Sequence, residues 1–285
     1  MAKTFSEVIS ASNLPHKEKL LGLVRQALYI NRDAADPQSQ EPGVSRFGGR
    51  PDLPPEFEWP KWQDKSLSFI AQINLSELPN IPDRGLLPET GMLFFFYDSS
   101  RLTDGVDKTE RGCFAVYYAN ENEKHPPVTR AAPADLRAAE MIVPARISFE
   151  VVESVPSWEH PVLESLGYAF ENCSVYSHVV FYDSQGYYVE SHQMLGYPQP
   201  VQYPPDLECE YVRLDRQVSF PEIRTRLGEE LKNGVDNWEL LLQVVSDNEM
   251  NMYWPPDCGT LYYMIRRSDL LSGQFDLAWM VKHYG

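Results

Sequence analysis

Three observations predict an α+β fold built mainly from antiparallel sheet. Apolar runs such as Phe69–Ile73 and Met92–Tyr97 are short and bounded by turn residues. Helical patterns are sparse and never alternate regularly with strands, which excludes a doubly wound fold. A weak internal repeat also relates the first half of the chain to the second. With 285 residues and 43% hydrophobic content, the chain can bury a sizeable core and is not a disordered polymer.

The elements follow in order. Leu20, Leu21, Leu23, Val24, Ala27 and Leu28 fall at helical spacing and predict a helix over residues 17–30, with Ser12-Asn13 as its cap and Pro15 in its first turn. Asp33 to Gly43 is rich in Asp, Pro, Gln and Ser and reads as a linker, which leaves the helix packed outside the main body. Strands are expected at Phe69–Ile73, Met92–Tyr97, Cys113–Ala119 and Ile147–Val152. Leu240–Val245 and Thr260–Ile265 read the same way, and Phe275, Leu277, Trp279 and Val281 alternate towards the end. Short helices are expected at Pro133–Met141, Pro161–Leu166 and Pro221–Leu231. Asp183-Ser184-Gln185-Gly186 centres a hairpin.

The repeat consists of three blocks in the same order. Gly49-Arg50-Pro51, Phe69-Ile70-Ala71-Gln72-Ile73 and Gly91-Met92-Leu93-Phe94-Phe95-Phe96 recur as Gly196-Tyr197-Pro198, Leu240-Leu241-Leu242-Gln243-Val244 and Gly259-Thr260-Leu261-Tyr262-Tyr263-Met264. Duplication of a β-rich unit accounts for this order; the alternative is that glycine turns followed by apolar strands always look alike. The expected organisation is one domain over 1–285. In it, 1–44 is helix and linker, 45–150 the first β-rich half and 151–285 the second.

The same blocks carry a family resemblance. Ser45-Arg46-Phe47-Gly48-Gly49-Arg50-Pro51-Asp52-Leu53-Pro54, Trp59-Pro60 and Leu67 to Leu75 resemble the YwqG-like family. So do Gly91 to Tyr97, His192-Gln193-Met194-Leu195-Gly196-Tyr197-Pro198, Trp238 to Gln243, and Asp257-Cys258-Gly259-Thr260-Leu261-Tyr262. The resemblance runs from about residue 45 to the C-terminus. It implies a mostly bacterial family with no established activity, and a binding role of the immunity type, since such members are discussed beside toxin-immunity neighbourhoods. Val245 stands where an acidic residue is commoner, so no role is assigned to a carboxylate there.

Charge bounds the partners. Lys+Arg 25 against Asp+Glu 41 gives a net charge of −16, which argues against nucleic acid and anionic membranes. The acidity is uneven: Ile147 to Val212 contains no Lys or Arg, but does contain Glu150, Glu153, Glu159, Glu164, Glu171, Asp183, Glu190, Asp206, Glu208 and Glu210. A field of one sign speeds encounter with a basic partner, while the simpler reading is a solvated surface. No apolar run approaches signal-peptide or membrane-spanning length. Cys113, Cys173, Cys209 and Cys258 are widely spaced with no Cys-x-x-Cys, as reduced thiols of a cytoplasmic protein would be.

Catalytic signatures are absent: there is no Gly-x-Ser-x-Gly, no His-Glu-x-x-His and no phosphate-binding glycine loop. No cofactor, catalytic residue or metal site is therefore expected. His178 and His192 flank the expected hairpin and could meet Asp183 or Glu190, although structural histidines are the commoner case. Gln72 and Gln243 lie in apolar strands at matching repeat positions; they either bond to backbone or face a shared cleft, where Arg46 could add an anion clamp. Trp59, Trp62 and Trp254 sit among prolines, as binding platforms or as lids over the core, and Asp247 and Asp257 flank the Trp254 loop. The ligand-binding candidates are thus Arg46, Trp59, Gln72, His192, Gln243, Asp247, Trp254 and Asp257. The leading expectation is a non-catalytic protein steered to a basic partner by residues 147–212 and anchored by exposed tryptophans. The alternative is a small-molecule-binding protein or hydrolase with Arg46, Gln72, His192, Gln243 and Asp257 in a cleft between the halves.

Overall fold

The computed structural model describes residues 4–36, 41–100, 102–120, 127–168, 176–177, 191–214, 229–254 and 258–284. The expected hairpin with His178, Asp183 and Glu190, most of the helix at Pro221–Leu231, and Asp257 lie outside the described residues.

Ten strands form one sheet: β1 (Arg25–Arg32), β2 (Arg46–Phe47), β3 (Ser68–Asn74), β4 (Met92–Tyr97), β5 (Phe114–Ala119), β6 (Ala145–Ser154), β7 (Gln193–Met194), β8 (Trp238–Val245), β9 (Gly259–Arg266) and β10 (Trp279–Tyr284). Their spatial order is β10-β9-β8-β7-β1-β6-β2-β3-β4-β5, and every pairing is antiparallel. The expected α+β class with mainly antiparallel sheet is therefore observed, and the sheet contains two four-stranded units, β2–β5 and β7–β10.

The two units match in register. In the first half Arg46 pairs with Gln72, Gln72 with Phe94 and Phe94 with Tyr117. In the second, Gln193 pairs with Gln243, Gln243 with Tyr262 and Tyr262 with Val281. Even the irregularity is repeated, between Phe69 and Ala71 in β3 and between Leu240 and Leu242 in β8. The two four-stranded units flank a central ladder in which β1 and β6 pair from Arg25↔Ser154 to Arg32↔Ile147.

Period-two alternation gives each unit two apolar faces, and both must be covered. The inner faces meet because the sheet curls on itself. Phe95 and its counterpart Tyr263 touch across the core with ring centroids 5.1 Å apart, and the Tyr263 hydroxyl donates to the Phe96 carbonyl at 3.1 Å. At the sheet's two ends Phe114 packs edge-on against Trp279 at 5.3 Å, and the Lys282 N–H donates to the Asp104 carbonyl at 2.8 Å. Gly105 makes this closure possible: it has φ +76°, and a Cβ there would stand 1.9 Å from the Met280 carbonyl oxygen. On the outer faces, Phe69, Phe94 and Phe96 are covered by Leu53 and Leu67, and Leu240, Tyr262 and Met264 by Cys209. Each such side chain removed from water contributes roughly 1.5–3 kcal/mol.

The helices described beside the sheet include α1 (Phe5–Ala11), α2 (Lys17–Leu21), α3 (Pro161–Ser165), α4 (Pro205–Arg213), α5 (Glu229–Val235) and α6 (Arg267–Leu271). The helix expected over 17–30 needs correction. It stops at Leu21, Gly22 caps it, and Arg25–Arg32 is instead the central strand β1. Ala27, Leu28 and Ile30 are buried, and short apolar runs of this kind fit either period until their neighbours are known. The preceding helix α1 was not expected, although Thr4 and Glu7 form a capping box that marks its start. The helix expected at Pro133–Met141 shrinks to a 3-10 turn at Ala138–Glu140. At the chain's end, Phe275–Leu277 is also a 3-10 turn, so the strand begins only at Trp279.

Between the outer faces and their covers lie the two glutamines of the repeat. The Gln72 Oε1 accepts the Asp52 N–H at 2.9 Å, while its Nε2 donates to the Val44 carbonyl at 2.9 Å and the Asp52 carboxylate at 2.8 Å. The Gln243 Oε1 accepts the Gln199 N–H at 2.9 Å, while its Nε2 donates to the Ser191 carbonyl at 2.8 Å and the Gln199 Oε1 at 3.2 Å. Replacing either with leucine leaves a buried N–H and C=O unsatisfied. Gln72→Leu and Gln243→Leu are each expected to cost about 2–4 kcal/mol in urea denaturation, against less than about 0.5 kcal/mol for the exposed Asn31→Ala.

Candidate functional site

The residues proposed from sequence are distributed over several places. Gln72 and Gln243 face outward on opposite units, each saturated by its own cover. Arg46, 1% exposed, neighbours Gln72; it ion-pairs with Asp52 at 3.0 Å and donates to the carbonyls of Glu41 and Arg50. Burial pushes the Asp52 carboxyl up, but bonds from Arg46, Gln72, the Gly43 N–H and Thr129 outweigh it and hold the group low. Trp59 is half-buried over Phe96 and donates to the Leu67 carbonyl at 2.8 Å. Trp254 is completely buried, its ring 6.0 Å from that of Tyr97.

His192 and Asp247 lie near each other on the second unit. The His192 Nδ1 accepts the Val245 N–H at 3.1 Å and the ring packs 4.7 Å from Phe47. Burial lowers its pKa to about 4, so the ring is neutral at pH 7. Asp247 is held low for another reason: burial raises it, but the Arg32 bond at 2.5 Å and two backbone N–H groups outweigh that.

Two further expectations change. Every tryptophan is buried or half-buried, so none offers an exposed anchor. Of the ten acids between Ile147 and Val212, Asp206, Glu208 and Glu210 point inward: Asp206 to His160 at 3.2 Å, Glu208 to His283 at 2.5 Å, and Glu210 to Arg213 at 2.7 Å. Glu150 and Glu164 are exposed, Glu153 and Glu159 half-buried, and Glu171, Asp183 and Glu190 fall outside the described residues.

The related halves separate residues that the fold needs from residues it does not. Where β3 carries Ser68, hydrogen-bonded to Ser99 at 2.6 Å, the matching positions in β8 and after β9 carry Glu239 and Arg267. Leu67 is replaced by Trp238 and Arg50 by Tyr197. Gly48, at φ +57°, is replaced by Leu195 at φ +60°, a left-handed conformation that costs a leucine about 1 kcal/mol or more. Of these departures, Glu239, Arg267, Trp238 and Tyr197 line one cavity of about 230 Å³, and Leu195 precedes its lining residue Gly196.

Glu239, 1% exposed, forms the cavity's inner end. Its Oε2 lies 2.6 Å from Arg25, and its Oε1 lies 2.6 Å from an Arg267 terminal nitrogen. Arg25 also pairs with Asp83 at 2.9 Å, and its guanidinium carbon stands 5.3 Å from the Tyr197 ring centroid. Asp83, Arg25, Glu239 and Arg267 therefore balance one another. The opposite wall carries Asp206, whose Oδ1 accepts the Leu207 N–H at 2.8 Å. Its partner His160 accepts the Val162 N–H on Nδ1 at 3.2 Å; that nitrogen carries no proton, and Nε2–H serves Asp206. The exposed Asp236 adds a further carboxylate to the lining. The lining carries three carboxylates, Asp206, Asp236 and Glu239, against two guanidiniums, Arg25 and Arg267, an arrangement whose excess of one negative charge suits an ammonium or guanidinium group. Among the described residues no group of three or more His, Cys, Asp or Glu is placed to hold a metal ion.

A charged residue opening an otherwise apolar repeat block is the one sequence signal for this site: Glu239 stands where Ser68 would predict a small residue. Arg25, Asp83, His160 and Asp206 gave none.

Fold and cavity together define an antiparallel β protein with a charged pocket where β1 meets the second unit. The chain belongs to the family described as a domain of unknown function, DUF1963, whose model matches residues 45–282. No curated protein matches it. The matched region begins after β1, so Arg25 reaches the cavity from outside it.

His192, bonded to Val245 at the far end of β8 from the cavity, supplies a test of the packing there. Its folded pKa lies below its unfolded one, so its contribution is complete above about pH 6.5 and is lost as pH falls towards 4. Urea titrations should show up to about 3 kcal/mol of stability disappearing across that window, and His192→Gln should flatten the dependence.

Proposed function

We propose that this chain is a non-catalytic, cytoplasmic binding protein of the YwqG-like kind, whose partner is a basic protein. The partner inserts one cationic side chain into the cavity between Asp206, Asp236 and Tyr197. The observation that supports this reading is the cavity's charge excess, which Asp206 and Asp236 add beside the paired Arg25, Glu239 and Arg267. Exposed Glu150 and Glu164 add a weaker long-range attraction. The halves descend from a duplicated unit; one copy kept serines at the positions where the other acquired a charge pair. In this reading 45–150 and 151–285 are halves of one domain, and no helix among the described residues is long and apolar enough to cross a membrane. The cavity's volume, close to that of a side chain, favours as a second reading a free small cation.

The test is calorimetric titration with acetyl-Gly-Arg-Gly-amide, acetyl-Gly-Glu-Gly-amide and free agmatine. The arginine peptide should bind saturably and weaken several-fold from low to high salt, while the glutamate peptide should not bind. Asp236→Asn should weaken the arginine peptide by about five- to tenfold. Binding of agmatine with no peptide binding selects the small-molecule reading. Equal binding of both peptides overturns the cation site.

A further inference from the structure

We infer that Arg25 sets the affinity and selectivity of the cavity, acting as a built-in competitor for the cation it receives. The inference rests on the reading of the cavity as a cation site. Its guanidinium already takes the position such a ligand would seek, between two carboxylates, Asp83 and Glu239, and over the face of Tyr197 at 5.3 Å. A guanidinium bound in this way occupies the ring face and cancels the charge of Glu239, the most buried carboxylate lining the site. An incoming cation therefore meets Asp206 and Asp236 on one side and a fixed positive charge on the other.

Arg25 comes from β1, which precedes the matched family region, yet the ladder with β6 fixes its place in the centre of the sheet. Arg25 thus ties three parts of the chain together: the N-terminal strand, Asp83 of the first half and Glu239 of the second. Its side chain is one-quarter exposed, so its charge acts on the cavity and is not sealed in the core. The residue limits affinity at this site, and its removal strengthens cation binding even though two ion pairs are lost.

The experiment titrates acetyl-Gly-Arg-Gly-amide into wild type, Arg25→Gln, Arg25→Lys and Asp83→Asn at low salt. Circular dichroism and thermal melting report on folding. Arg25→Gln should bind about tenfold tighter, Arg25→Lys within about twofold of wild type, and Asp83→Asn about tenfold weaker, as expected for one charge close to the ligand. A folded Arg25→Gln that binds no tighter than wild type overturns the inference and leaves the cation site standing. Absence of peptide binding to wild type and Arg25→Gln alike overturns both. If Arg25→Gln does not fold, Asp83→Asn decides: weakened binding supports a charge-setting Arg25–Asp83 pair, and unchanged binding overturns it.

Discussion

Two buried side-chain amides hold this structure in register. A sheet that is apolar on both faces needs a cover on each. Beside those covers run two proline-containing segments, 44–52 and 191–199, that bring backbone N–H and C=O groups against the outer faces. Gln72 and Gln243 supply the missing partners, each binding one N–H and one C=O of the segment above it. An apolar residue in either place would still fill the volume but would strand those groups, so the amide is required by the cover and not by a ligand. Arg46 extends the arrangement in the first half, where Asp52 replaces the amide of Gln199 as the acceptor for Gln72.

With both covers fixed, the rest of the architecture follows from the curl of the sheet. The central β1–β6 ladder carries the two units, and their inner faces close on one another through Phe95 and Tyr263. Such an arrangement places identical demands on both halves wherever the fold depends on a residue. Gln72 and Gln243 obey those demands; Ser68 and Glu239 do not. A buried glutamate needs compensation that a serine does not, and it comes from Arg25 of β1 and Arg267 of the second half. Strain at Leu195, next to the cavity's Gly196, and the ion-pair network at Glu239 both belong to the second unit, where the fold alone requires neither.

Local pattern was a good guide wherever one residue type permits a single period. β4 was bounded to the residue, and β3, β8 and β9 within a residue or two, because aromatic and β-branched residues between glycine turns leave little choice. The pattern failed at Leu23 to Leu28, whose spacing suits a helix face and a buried strand equally. It also failed for acidity: Asp206, Glu208 and Glu210 look like surface charge in a list, but α4 turns them inward onto His160, His283 and Arg213. The tryptophans followed the same rule, since proline neighbours identified loops but not which side of a loop faces the core.

Sequence by itself determined the positions of β3, β4, β5, β6, β8 and β9, the matched blocks and the equivalence of Gln72 with Gln243, because each depends on neighbours a few positions away. Only the tertiary structure decided that residues 25–32 occupy the centre of the sheet and that a cavity forms at Tyr197. Arg25 and Glu239 are 214 positions apart, and nothing local to either residue encodes their meeting. That contact exists because the curled sheet and its two covers bring β1, β8 and the Asp83 segment together, and the charge balance of the cavity is a property of that arrangement alone.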